Sequence, residues 1–193
     1  MPLLSQWKEQ KLISENSYWK LSRLTGLILE WNPKINLTGF RTRDQIEKLL
    51  IGESLFAWKA LALEREKILD FGSGAGIPGL VWAICEPEVV VTSLEIRQKK
   101  VAFQKEVVRT LGLRAEVLSG HFPEAVKGRR FDLIVSRAIR LSPTAWKQAG
   151  KLLEKGGRLV RFARRDASEP GWQPAPISSH SALLIRTASN CST

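Results

Sequence analysis

Cysteine and histidine are scarce in this chain. Its 193 residues include two cysteines and two histidines, and Cys85, Cys191, His121 and His180 are widely separated. Two isolated cysteines exclude a disulfide framework and give no metal-binding spacing. Free thiols are typical of a reducing compartment, so we expect a cytoplasmic protein without a bound metal.

Long hydrophobic runs are also missing. No stretch approaches the ~20 apolar residues that span a bilayer, and the first residues lack the basic-then-apolar pattern of a signal peptide. Hydrophobic residues still make up 44% of the chain, which is enough for a full core. The length is that of one domain. We therefore expect a monomer that does not associate with membranes.

Acidic residues are outnumbered by basic ones. The chain has 30 lysines and arginines against 19 acidic residues, for a net charge of +11. Such an excess is typical of proteins that bind a polyanion, although a solvated basic surface is the alternative. The cations cluster as Arg97, Lys99 and Lys100; Lys127, Arg129 and Arg130; and Arg158, Arg161, Arg164 and Arg165. This clustering favours nucleic acid as the partner. The sequence shows no basic amphipathic helix of the kind that would anchor the protein to a membrane.

The first third of the chain has a helical pattern. Apolar residues recur at three- and four-residue steps over residues 5–30, which predicts a helix that ends at Pro33. Thr42 and Gln45 have the spacing of a capping box, so a second helix is predicted to start there. We expect residues 1–64 to form a helical extension packed on the rest of the protein.

From residue 67 onward, strands and helices alternate. Strands are predicted over 67–71, 89–95, 114–118, 131–135 and 158–163, and helices over 77–86, over 97–111 and from Ser142-Pro143 to Gly156-Gly157. Residues 164–193 are predicted to be a loop with a last strand over 182–186. This alternation predicts an α/β, Rossmann-like fold with a parallel, doubly wound sheet over residues 65–193. Ligands of such sheets bind at the carboxyl ends of the strands.

A glycine-rich turn directly follows the first predicted strand. Asp70 ends the strand, and Gly72, Gly74 and Gly76 alternate after it. Alternating glycines let a backbone pass close to a ligand, and amides at a helix N-terminus can bind an anionic group. The acid at the strand end, and the absence of a lysine from the turn, disfavour a nucleotide phosphate. They suit a ligand with an ammonium and a carboxylate, such as the methionine end of S-adenosylmethionine.

The same turn has two alternative interpretations. The run from Gly74 to Gly79 also fits the dinucleotide fingerprint G-x-G-x-x-G, but the charge of Asp70 would repel a pyrophosphate. A tight turn without a ligand is the third possibility, and three alternating glycines exceed what a turn requires. We prefer the methyl-donor interpretation.

An acidic residue, Glu95, ends the second predicted strand. Its two oxygens can accept hydrogen bonds from both hydroxyls of a ribose, as an acid at this place does in dinucleotide folds. It can equally be an acid favoured by the dipole of the helix over 97–111. The intact glycine turn favours the ribose role.

The third and fourth predicted strands end on aromatic and basic residues. His121 and Phe122 lie where an adenine would be bound, although Phe122 could simply fill the core and His121 could be solvated. Arg137 follows the fourth strand. An arginine there is costly to bury unless it is paired, so it either bonds to an internal acid or faces the cleft. We favour the cleft.

Over residues 18–163 the chain resembles the ribosomal RNA small subunit methyltransferase G family, also called the glucose-inhibited division protein B family. The motifs that carry the resemblance are Trp31-Asn-Pro-Lys-Ile-Asn-Leu-Thr38, Ile51-Gly-Glu-Ser-Leu55, the run from Asp70 to Gly79, and Val135-Ser-Arg-Ala138. The chain departs from the family at Leu50, at Gly120 to Phe122 and at Ala163 to Arg165.

The resemblance implies an S-adenosylmethionine-dependent methyltransferase that modifies N7 of a guanine in 16S ribosomal RNA, with ribosomal RNA or the small ribosomal subunit as its partner. It also implies cofactor contacts at Gly72, Ile77, His121, Phe122 and Arg137. No catalytic residue is assigned, because a ring nitrogen with its own lone pair needs no general base. A small-molecule methyltransferase, which leaves the charge unexplained, and a non-catalytic RNA-binding protein are the alternatives.

Overall fold

A seven-stranded sheet forms the centre of the computed structural model, which describes residues 3–137 and 142–188. Its strands are β1 (Lys67–Phe71), β2 (Val90–Glu95), β3 (Ala115–Ser119), β4 (Phe131–Ser136), β5 (Leu153–Arg164), β6 (Gln173–Pro176) and β7 (Ser181–Thr187). Their order is β3-β2-β1-β4-β5-β7-β6. Strands β1 to β5 are parallel, and β7 is antiparallel to both β5 and β6. The predicted α/β class is confirmed.

Helices cover both faces of the sheet and extend beyond it at the N-terminus. They are α1 (Leu3–Glu9), α2 (Glu15–Ile35), α3 (Arg43–Gln45), a π-helix (Ile46–Gly52), α4 (Glu53–Leu61), α5 (Gly79–Cys85), α6 (Gln98–Leu111) and α7 (Pro143–Gly150), with a 3₁₀ turn over Glu124–Val126. The central residues of β1 are all buried, with no alternation between buried and exposed positions. This is the pattern of a parallel strand covered on both faces.

The N-terminal helices share a hydrophobic core with the sheet. Leu21 of α2 lies in one buried cluster with Trp82 of α5 and Phe103 of α6. The Trp82 indole donates a 2.8 Å hydrogen bond to the Ser54 carbonyl, and Trp31 meets Phe103 edge to face at 5.7 Å. None of the helices in the described parts of the chain has the length and apolarity needed to cross a membrane.

The predicted first helix is wrong in two respects. It is interrupted between α1 and α2, where Lys11 has a φ of 55° and the Ser14 hydroxyl caps α2 by accepting from the Ser17 amide at 3.0 Å. It also continues through Pro33 for a further turn. Asn36, in the left-handed conformation, closes the helix by donating its amide to the Asn32 carbonyl at 2.9 Å.

The predicted capping box is confirmed. The Thr42 hydroxyl accepts from the Gln45 amide, and the Gln45 side chain accepts from the Thr42 amide, both at 3.3 Å. The box starts a helical segment that runs without a break through α3, the π-helix and α4.

Two predictions in the C-terminal half are wrong. Helix α7 starts at Pro143 as predicted but ends at Gly150, and the glycine pair lies within β5. Gly156 has a φ of 81°, near a register shift in the pairing of β4 with β5, so the pair marks a strand irregularity. The predicted loop after residue 164 contains β6. Its prolines are tolerated because β6 is an edge strand.

Candidate active site

A cavity of about 780 Å³ opens at the carboxyl ends of the strands. This volume lies in the range of small-molecule sites. Its walls come from the ends of β1 to β4, the loop before α3, the π-helix and the start of α6. The lining residues are Leu37, Thr38, Gly39, Phe40, Leu50, Phe71, Gly72, Ser73, Gly74, Ala75, Ile77, Leu94, Glu95, Ile96, Arg97, Lys100, Gly120, His121, Phe122 and Arg137.

The glycine turn forms the floor of this cavity. Gly72, Gly74 and Gly76 all have left-handed φ values, of 69°, 59° and 76°, which glycine adopts without a steric penalty. A Cβ on Gly74 would have only the Gly72 carbonyl within 4 Å, at 3.9 Å, whereas one on Gly76 would overlap the Leu80 side chain. The structure therefore places Gly72 and Gly74 on the cavity and Gly76 against the core.

A buried glutamine supports the turn from behind. The Gln104 side-chain amide donates to the Ser73 hydroxyl at 2.8 Å and to the Gly74 carbonyl at 2.9 Å. Gln104 is fully buried on α6. Sequence reasoning missed it, although a polar residue on the apolar face of a predicted helix was the available signal.

Asp70 does not line the cavity. Its carboxylate turns inward, where Oδ2 accepts from the Gly79 amide at 2.9 Å and Oδ1 has no hydrogen-bond partner. Burial raises the pKa of Asp70 to about 7. The sequence interpretation placed Asp70 against the ligand's ammonium group, but the structure places it on the amide that begins α5. A side chain at Gly79 would be 2.8 Å from the same carboxylate.

Glu95 lies on the cavity and is already bonded to the backbone. Its Oε2 accepts from the Gly74 amide, and its Oε1 accepts from the amides of Ile96 and Arg97, each at 2.9 Å. A carboxylate offers about four acceptor positions, so a ligand hydroxyl can join these three bonds. Glu95 therefore links the glycine turn to the backbone that leads into α6, and one ribose hydroxyl would share the carboxylate with these amides.

Aromatic rings form one wall. Phe122 stacks on Phe71 with ring centroids 4.5 Å apart and an interplanar angle of 29°. Both rings line the cavity, as does the exposed His121. Phe122 also packs against a hydrophobic cluster, so it serves the core and the cavity together. Phe71 was not singled out from the sequence.

Arg137 lines the cavity, but protein groups hold its guanidinium. Nη1 donates to the Leu50 carbonyl at 3.0 Å, and Nη2 donates to Glu53 at 2.8 Å and to the Leu49 carbonyl. Burial lowers the pKa of Arg137, and the charge of Glu53 opposes that shift. Both alternatives from the sequence are therefore realised, because Arg137 lies on the cavity and also bonds to an internal acid. Ala138 of the same motif lies outside the described residues.

A loop that sequence reasoning left without a role also lines the cavity. Asn32 is 2% exposed. Its side chain donates to the Phe40 carbonyl at 2.8 Å and accepts from the Thr38 amide at 2.9 Å. The asparagine of the Trp31–Thr38 motif therefore fixes the shape of the loop over residues 37–40.

The three basic clusters differ in their surroundings. Arg97 and Lys100 lie on the cavity, and burial lowers the pKa of Lys100. In the second cluster Arg129 pairs with Glu116. Three arginines of the third cluster form ion pairs within the protein: Arg158 with Glu66, Arg161 with Glu169 and Arg164 with Asp166. The described residues contain no group of three or more acids, histidines or cysteines that could hold a metal.

The sheet order and the cavity at the ends of β1 and β2 define the class of fold: it is the Rossmann-like fold of S-adenosylmethionine-dependent methyltransferases. The fold is similar to that of the 16S rRNA methyltransferase RsmC of Thermus thermophilus, solved with AdoMet and guanosine. That structure is 21% identical, with a TM-score of 0.59, over 70% of this chain and 42% of the other.

The family follows from the sequence comparisons. Residues 17–175 match the model of GidB, rRNA small subunit methyltransferase G. Proteins named ribosomal RNA small subunit methyltransferase G are 38% identical over 149 residues in Chromohalobacter salexigens and 35% identical over 144 residues in Moorella thermoacetica. These alignments cover 77% and 72% of this chain, and 71% and 60% of the relatives. The chain belongs to the rRNA small subunit methyltransferase G family.

Proposed function

We propose that this protein transfers the methyl group of S-adenosylmethionine to N7 of a guanine in 16S ribosomal RNA. The observation that carries the proposal is the cavity that joins the open Gly72–Gly74 turn to Glu95, in a chain of this family.

The residues on the cavity fit S-adenosylmethionine. Beside the turn, the open face of Gly74 leaves room for the methionine part. Glu95 would accept from one ribose hydroxyl, and Ile77, His121 and Phe122 would surround the adenine. Asp70 and Gly76 support the turn from the core side. When bound, the cofactor supplies an electrophilic methyl group.

The acceptor requires little chemistry from the side chains. Guanine N7 is exposed in the major groove and carries its own lone pair. As the N7–carbon bond forms, the sulfur–carbon bond breaks, so the base gains the positive charge that the sulfur loses. No proton has to be removed. A reaction that needs no general base agrees with the bonding of Glu95, whose oxygens accept from three backbone amides. The chain's task is to align the reacting atoms and to stabilise the charge that develops.

Basic residues at the cavity would position the RNA. Arg97 and Lys99 are exposed, and Lys100 is partly buried beside Arg97. Phosphate contacts fix register and orientation without reading sequence. We assign this cluster to the ribosomal RNA, free or within the small subunit, and assign the protein to the cytoplasm as a monomer.

Methyl transfer from labelled S-adenosylmethionine tests the proposal. The acceptors are small ribosomal subunits and free 16S RNA from a strain that lacks the gene. We expect label in one of them, at a guanine that becomes sensitive to aniline cleavage after reduction. Binding of donor and RNA without transfer would support a non-catalytic RNA-binding protein. RNA binding with no salt dependence would favour a small-molecule acceptor, because phosphate contacts give a steep salt slope.

A further inference from the structure

The end of the cavity nearest β4 has walls that the cofactor assignment leaves unused. Strand order places Phe122 after β3, Glu95 after β2 and Gly72 after β1, side by side along the edge of the sheet. The proposed adenine, ribose and methionine contacts occupy these three ends. What remains is the wall formed by the loop over residues 37–40, Leu50 and Arg137.

This remaining wall is held firmly. Asn32 bonds to both Thr38 and Phe40, and the Thr38 hydroxyl accepts from the Phe40 amide at 3.3 Å. The loop leads through the Thr42 capping box into the π-helix, whose Leu50 carbonyl accepts from Arg137. The loop and the end of β4 are therefore parts of one braced structure.

Phe40 gives this wall an aromatic ring. It is partly buried, packs on the core cluster and lines the cavity. Proteins that recognise RNA bases commonly hold an unstacked base against an aromatic side chain. The adjacent Arg41 is exposed, and its guanidinium has a 3.5 Å contact with the Asn36 side chain, so a phosphate can replace that weak bond.

We infer that Phe40 is the stacking surface for the acceptor guanine, in a subsite completed by Leu50 and Arg137. The inference rests on the proposed function. With Phe40 assigned to the acceptor, its loss affects the RNA and spares the donor.

Three variants test the subsite: Phe40→Leu removes the ring, Phe40→Tyr retains it, and Phe56→Leu is the control. Phe56 is 38% exposed and contacts Trp7. Because stacking on an aromatic ring stabilises a bound base, we expect Phe40→Leu to raise the KM for small subunits by roughly fivefold or more. Phe40→Tyr should keep the wild-type KM, and the affinity for S-adenosylmethionine should change less than twofold in all three.

Two results would overturn the subsite alone: an unchanged KM in Phe40→Leu, or a loss of donor affinity as large as the rise in KM. If Phe40→Leu lowers the melting temperature, the KM of Phe40→Tyr becomes the test of the subsite. A raised KM in that folded variant would also contradict stacking. A wild-type protein that binds donor and methylates no RNA would overturn the proposed function, and the subsite with it.

Discussion

Arg137, which follows β4, lies 2.8 Å from the carboxylate of Glu53 in the first turn of α4. The side chains are 14% and 18% exposed, so water screens the pair only weakly. The other Glu53 oxygen accepts from the Ser181 hydroxyl of β7. One carboxylate therefore joins a helix to two strand segments, and the same guanidinium holds Leu50 on the cavity wall.

Arg137→Ala should reduce stability and raise the KM for small subunits. The change leaves the Glu53 carboxylate without its cation, and a hydrogen bond to a charged group contributes roughly 1.5–3 kcal/mol to the free energy of unfolding. The KM should rise because the Leu50 wall of the acceptor subsite loses its support. Thermal denaturation and methyl-transfer kinetics measure the two effects. Arg164→Ala is the control, because its pair with Asp166 is exposed and should contribute little. A variant with unchanged melting temperature and KM would show that the pair has neither role.

Glu95→Gln should weaken S-adenosylmethionine binding by roughly 1.5–3 kcal/mol, the range for a hydrogen bond to a charged group. The amide of glutamine brings its own N–H groups towards the amides of Gly74 or Arg97, so the turn is disturbed as well. Binding of the 2′-deoxyribose analogue to the wild type separates these effects. Equal affinities for the cofactor and the analogue would mean that Glu95 acts on the turn and does not contact the diol.

Asp70→Asn should change how stability depends on pH. Burial raises the pKa of Asp70 to about 7 from an ordinary value of 3.8, so between these values the folded state binds more protons than the unfolded state. The contribution of Asp70 to stability therefore falls as pH rises from about 4 to about 7. Asparagine does not titrate, and its oxygen can still accept from Gly79.

Urea denaturation at pH 5 and pH 8 measures this effect. Between pH 5 and pH 8 we expect the variant to gain stability relative to the wild type, by at most about 3 kcal/mol. A relative loss at pH 8 would indicate that the charged form of Asp70 stabilises the fold.

Gly74→Ala and Gly76→Ala should have opposite effects on binding and stability. Both glycines have left-handed φ values, so each alanine costs roughly 1–2 kcal/mol of strain. The new methyl group at Gly74 points into open space, whereas at Gly76 it overlaps Leu80. Gly74→Ala should stay folded and bind donor poorly. Gly76→Ala should lose more stability and retain donor affinity while folded. Equal donor affinity in Gly74→Ala and wild type would remove this turn from the binding site.

Local chemistry was sufficient for the parts of the site that are continuous in sequence. The apolar run into Asp70 and the alternating glycines predicted β1 and the turn, because both depend on short-range backbone preferences. The Thr42–Gln45 capping box was predicted for the same reason. Where longer-range pairing dominates, local signals failed. Gly156 and Gly157 suggested the end of a helix but lie within β5, between the points where Leu153 and Arg158 pair with β4.

The sequence by itself determined the class of fold, the family, and the strand ends that carry Glu95, Phe122 and Arg137. The tertiary structure decided what each group contacts. Asp70 turned inward onto the amide of Gly79. Arg137 met Glu53, which lies far along the chain, because a buried charge is costly without a partner. The support of the glycine turn by Gln104 likewise exists only once α6 packs behind that turn, because Gln104 and Ser73 lie 31 residues apart.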